Sequence, residues 1–94
     1  MYDIPTGVTV FSMASAINPV MEGVLYETFE LAVKAVDERI AEILQSYSHL
    51  EDAGTIEDRE ENIYQRHWRT KDWPNSVGYL CVKSFTFIFV KESK

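Results

Sequence analysis

One cysteine, four scattered glycines and three prolines in 94 residues exclude several kinds of protein at once. A single thiol, Cys81, cannot close an internal disulfide, the usual substitute for a large core in small secreted domains, so a reducing, cytoplasmic setting is expected. Gly7, Gly23, Gly54 and Gly78 stand too far apart to cradle a phosphate or to form a dinucleotide fingerprint, and no G-x-S-x-G elbow occurs. His49, His67 and Cys81 are separated by 18 and 14 residues, which matches no zinc spacing. The acidic run Glu57, Asp58, Glu60 and Glu61 lacks the alternating ligands and turn glycine of a calcium loop. No metal and no cofactor is therefore expected. Nothing pairs Cys81 or His67 with the orienting partner that catalysis needs, so the chain reads as a non-enzyme.

Long apolar runs are missing too. Residues 4–21 carry no charge, and Ala14-Ser15-Ala16 imitates a cleavage site, but Pro5, Gly7 and Pro19 interrupt the stretch and no basic residue precedes it. A membrane-spanning helix needs about 20 continuous apolar residues, so neither a signal peptide nor a membrane span is expected.

Positive charge is scarce, with nine Lys and Arg against fifteen Asp and Glu, a net charge of −6. The deficit is uneven. Residues 1–62 hold 13 acidic and 3 basic side chains, a balance of −10, while residues 63–94 hold 2 acidic and 6 basic, a balance of +4. Phosphate neutralisation supplies most nucleic-acid affinity, so an acidic chain is a poor fit to nucleic acid. The basic segment still leaves room for a small phosphorylated ligand or an acidic partner.

What is present is a compact α+β pattern. Residues 8–14 are β-branched at their start and bounded by Gly7 and Asn18-Pro19, which predicts a first strand. Thr28 is a good N-cap, and Phe29, Val33, Val36, Ile40, Ile43, Tyr47 and Leu50 recur at spacings of four and three, predicting one long amphipathic helix that stops near Gly54. Glu30 and Lys34 are placed for a helical ion pair. Residues 56–68 are ambiguous. A short helical turn after Thr55 and Asp58, then a strand over residues 62–71, is the preferred reading; a second helix over 56–68 is the alternative. Residues 72–76 read as a hairpin loop, and a third strand runs from about Val77 to Val90 or Lys91. The fold expected is thus an antiparallel sheet of about three strands, in the order β-α-β-β, forming a single domain with the helix across one face. A domain of this size buries only roughly 60 to 65% of the surface of its unfolded chain.

The third strand is apolar on both sides. Alternation puts Tyr79, Cys81, Phe85, Phe87 and Phe89 on one face and Leu80, Val82, Ile88 and Val90 on the other. One helix covers one face, so Phe85, Phe87 and Phe89 are expected at an interface with another protein or a second copy of the chain. A second candidate site is the segment holding Tyr64, Arg66, His67, Trp68, Arg69, Lys71 and Trp73, where guanidinium groups suited to carboxylate or phosphate alternate with aromatic faces. The same composition also suits an ordinary strand with its tryptophans inward and its arginines paired to the acidic helix.

These readings point to a small acidic, non-catalytic interaction protein that binds and blocks or regulates a larger partner and self-associates as a homodimer. By size and charge alone it is comparable to immunity proteins, antitoxins and the inhibitors of host defence carried by viruses and prophages. The alternative is a binder of a nucleotide or cyclic nucleotide through residues 66–73.

Overall fold

The structure, a computed structural model, describes residues 6–89, with side chains for all of these except residues 6, 73–76 and 89. Four strands, β1 (Thr6–Ala14), β2 (Leu50–Asp58), β3 (Ile63–Thr70) and β4 (Trp73–Phe89), form one antiparallel sheet in the order β1-β4-β3-β2. A single α-helix, α1 (Phe29–Ser46), lies across one face, and a 3-10 turn, Met21–Gly23, stands in the loop before it.

Thr28 caps α1 as the sequence predicts, its hydroxyl accepting from the Leu31 N–H at 3.2 Å. Phe29, Ala32, Val33, Val36 and Ile40 are the buried residues of α1, packed on Phe11 and Met13 of β1, Tyr64 of β3, and Leu80 and Val82 of β4. Ala32, a small residue beside the large ones of the stripe, is wholly buried in the same cluster. Glu30 receives the Arg59 guanidinium from the β2–β3 turn, a partner 29 residues away, rather than Lys34.

The helix is shorter than its apolar stripe suggests. It stops at Ser46, Tyr47 serves as the C-cap and is half exposed, and Leu50 opens a strand. Residues 50–58 pair with β3 from Leu50↔Thr70 to Asp58↔Ile63, so neither the last helical turn nor a helical segment over 56–68 forms. The sheet therefore has four strands in the chain order β-α-β-β-β, not three. Gly54 is not a helix stop. It sits at φ +119° where the β2–β3 register shifts, and its N–H donates to the Asp52 carboxylate at 2.8 Å. Its conformation, rarely adopted by L side chains, is what this bulge requires. Asp58 caps the hairpin turn instead of a helix, accepting from the Glu60 and Glu61 N–H groups at 3.1 and 3.3 Å.

Strand β3 falls where the sequence puts it, but the following loop is tighter than five residues. Thr70 pairs with Trp73 across a turn at residues 71–72, and Arg69 pairs with Val77, so residues 74–76 form a bulge at the start of β4. The far end of that strand, expected at Val90 or Lys91, lies outside the described residues.

The length of β4 governs the shape. Seventeen residues of strand span about 56 Å. Eighteen residues of helix span about 27 Å. One helix thus covers about half of the strand. The extents of 63 × 25 × 21 Å and a radius of gyration of 17.0 Å, against about 12 Å for a compact chain of this length, reflect that mismatch.

Candidate functional site

Two neighbours share β4 by halves. β3 pairs with its first half, up to Gln65↔Cys81, and β1 pairs with its second half, from Ala14↔Cys81 to Thr6↔Phe89. The sheet is therefore stepped, with Cys81 as the overlap. Phe29, the first residue of α1, meets Phe11 edge-on with ring centroids 5.9 Å apart, and Phe11 pairs with Ser84. Beyond that level the helix ends. The five pairs from Val10↔Phe85 to Thr6↔Phe89 continue as a two-stranded ribbon.

Directly opposed residues of an antiparallel pair project to the same face. Leu80 and Val82 face α1 and are buried, whereas Tyr79, Cys81, Phe85 and Phe87 face away from it. Val8 and Val10 join Phe87 and Phe85 on this open face as cross-strand partners. Phe85 is half-buried, Phe87 is 46% exposed and Val8 46% exposed. Lys83 lies over the Phe85 ring at 5.8 Å, presenting a cation beside the apolar strip. Ile88, on the helix side but past the end of α1, is 63% exposed. The placement of the Phe89 side chain lies outside the description, although its backbone closes the pairing with Thr6.

Part of the open face is covered by the chain itself. The loop after β1 folds back, and Ser12, wholly buried, donates from Oγ to the Pro19 carbonyl at 2.6 Å. Next to it Cys81 is half-buried, and loss of water contact raises its thiol above the ordinary value despite nearby Lys83. On the β2–β3 side an open depression of about 370 Å³ is lined by Gly54, Ile56, His67, Arg69 and Val77 among others.

The strand pleat divides the basic-aromatic segment between the two faces. Tyr64, Arg66 and Trp68 point towards α1; His67 and Arg69 point to the open face; Lys71 is exposed in the turn; the Trp73 side chain lies outside the description. Arg66 is a structural hub. Its Nη1 donates to Asp37 of α1 at 2.8 Å and its Nη2 to Asp52 of β2 at 2.7 Å, with only 18% of the side chain exposed. Tyr64 also donates its hydroxyl to Asp37, and burial together with that carboxylate raises its pKa. The Gly54 N–H, reinforced by Arg66, lowers the pKa of Asp52. Both arms of the Arg66 fork are thus committed to the acidic side chains of the same fold. On the open side Arg69 Nε donates to Glu51 at 2.9 Å, and His67 stacks in a tilted geometry on Tyr79 at 5.6 Å.

Among the described residues, the covering loop and the Arg66 fork leave open an apolar strip on the ribbon face, Val8, Val10, Phe85 and Phe87. Its residues are far apart in sequence, and the β1–β4 register brings them together. The valines carry the part of the surface that phenylalanine spacing alone does not reveal. Among the described residues no helix is long and apolar enough to cross a membrane, and no three His, Cys, Asp or Glu side chains converge as metal ligands. Comparison with protein-family models, with curated proteins and with solved structures finds no match.

Proposed function

We propose that this chain is a non-catalytic interaction protein that binds and blocks or regulates a larger partner, using the open face of its sheet. The observation that carries the reading is the ribbon strip of Val8, Val10, Phe85 and Phe87, which lies on the face away from the chain's own helix and leaves Val8 and Phe87 each 46% exposed. A contiguous apolar strip on a small protein is a docking surface more often than an accident of composition. Lys83 beside the strip and Arg69 farther along the same face suit a partner with an apolar ridge flanked by carboxylates. The size and acidity are those of immunity proteins, antitoxins and phage-borne inhibitors of host defence, an analogy of build only.

The test uses folded wild type, Val8→Asp on the open face and Glu42→Lys on the helix exterior as baits in a lysate of the producing cells. A partner held in stoichiometric amount by wild type and Glu42→Lys but released by Val8→Asp is the expected result. Equal retention by Val8→Asp removes the open face from the reading; no partner on wild type removes the reading itself.

A second reading, a small phosphorylated ligand such as a nucleotide, is favoured by the depression beside His67 and Arg69. Calorimetric titration with nucleotides against wild type and Arg69→Ala decides it: binding that is lost in the variant supports the ligand, and absence of heat with wild type discards it.

A further inference from the structure

We propose that a second copy of this chain completes the sheet, pairing antiparallel with β4 along residues 84–88 about a two-fold axis at Thr86. The step in the sheet carries the inference. On its β1 side residues 84–89 are paired throughout, but on the other side the β3 pairing reaches only to Gln65 opposite Cys81, and the chain turns away at residues 59–62. Among the described residues no strand occupies that column beside residues 84–89.

The two edges on the β3 side of the sheet, that of β2 and that of residues 84–89, differ in how they are protected. β2 carries Glu51, Asp52, Glu57 and Asp58 and is bent by the bulge at Gly54, devices that discourage further pairing. Residues 84–89 read Ser-Phe-Thr-Phe-Ile-Phe, with no charge, no proline, no glycine and no register shift against β1. That edge is a ready template for another strand.

A second copy fits the step by construction. Under a two-fold axis normal to the sheet at Thr86, residues 84–88 of one copy lie antiparallel to residues 88–84 of the other in the empty column, and each off-axis contact is made twice. Thr86 then faces the partner's Thr86, and Phe85 faces the partner's Phe87 on the open face, at the 4.5 to 5.5 Å spacing of cross-strand side chains. Each two-stranded ribbon, marginal in water by itself, becomes half of a four-stranded sheet in the order β1-β4-β4-β1. The contact buries on the order of 400 Å² per copy, about half of a standard interface, so a dimer with a micromolar dissociation constant is expected. This extends the interaction reading from a side-chain face to a backbone edge and is tested on the purified chain alone, so it stands or falls separately from the larger partner.

Sedimentation equilibrium from about 5 to about 500 μM measures the association, with Kd expected inside that range. In a Cys81→Ser background, Thr86→Cys places single thiols at the axis, where paired strands meet disulfide geometry; Thr9→Cys on β1 is the control for pairing through the opposite edge. Both side chains are exposed, and each change removes the same hydrogen bond, between the Thr9 and Thr86 hydroxyls at 3.2 Å, so the two variants are matched in that loss. Under mild oxidation the Thr86→Cys dimer is expected to form at least about tenfold faster than the Thr9→Cys dimer. A strict monomer across the concentration range, or trapping at Thr9→Cys as fast as at Thr86→Cys, overturns the proposal.

Discussion

The Trp68 indole lies on the backbone of Gly78, its cross-strand partner, so closely that a β-carbon at Gly78 would sit 2.5 Å from the ring atoms Cε2 and Cζ2. The ring fills the space that a side chain on β4 would otherwise take, and it adds to the helix-side core. Gly78→Ala must push the indole out of that position, and the overpacking is expected to lower stability by about 1 to 3 kcal/mol. Urea denaturation checks this; an unchanged midpoint would show that the ring moves without cost.

Arg66 ties three elements together, and its fork geometry is the reason. Arg66→Met leaves Asp37 and Asp52 without their cation, but both carboxylates are nearly half exposed and regain water. The expected loss is about 1 to 3 kcal/mol, below the cost of stranding a fully buried charge. Arg66→Lys is expected to recover only part of it, since one ammonium is a poor substitute for two diverging N–H groups. A double-mutant cycle with Asp37→Asn measures the coupling.

Stability should fall on the acid side through Asp52. Its carboxyl, held below the ordinary value of 3.8 by the Gly54 N–H and by Arg66, binds a proton less readily folded than unfolded. Its contribution is therefore complete above the unfolded value and is lost as pH falls through the lower folded value. Asp52→Asn removes that dependence. Melting temperatures from pH 6 down to pH 2 should decline less steeply in the variant; parallel curves would refute the assignment.

Cys81 should be a sluggish nucleophile. Burial raises its thiol, so the thiolate fraction at neutral pH is below that of a free cysteine. Iodoacetamide at pH 7.5 is expected to alkylate the folded chain at least about tenfold more slowly than the urea-unfolded chain. Equal rates would place the thiol in open water.

The helix, β1 and the β3–β4 hairpin are legible in the sequence because each carries its own local signal: the Thr28 cap, the Val8–Val10 alternation, the dense β-formers of residues 77–89. Strand β2 is not legible there, for an equally local reason. Leu50–Asp58 is rich in Asp, Glu, Ala and Gly, which favour strands poorly, and its side chains are mostly exposed, so no alternation marks it. Backbone pairing with β3 makes it a strand. The extended helix stripe through Tyr47 and Leu50 competes with that pairing and loses.

The candidate sites divide the same way. That the phenylalanines of β4 outnumber what one helix can cover follows from composition and period. That Val8 and Val10 complete their strip follows only from the β1–β4 register. Likewise residue types mark Arg66 and Trp68 as binding groups, but their helix-side position commits Arg66 to Asp37 and Asp52 and lays Trp68 on Gly78.

The amino-acid pattern by itself determined an acidic α+β chain with one amphipathic helix and a strand apolar on both sides, because helix period, strand period and capping act over a few residues. Only the tertiary structure decided which half of β4 each neighbour takes, and so which edge is left open, and where the helix ends relative to that strand. Those depend on register between segments dozens of residues apart, and in a sheet a shift of one residue exchanges the faces.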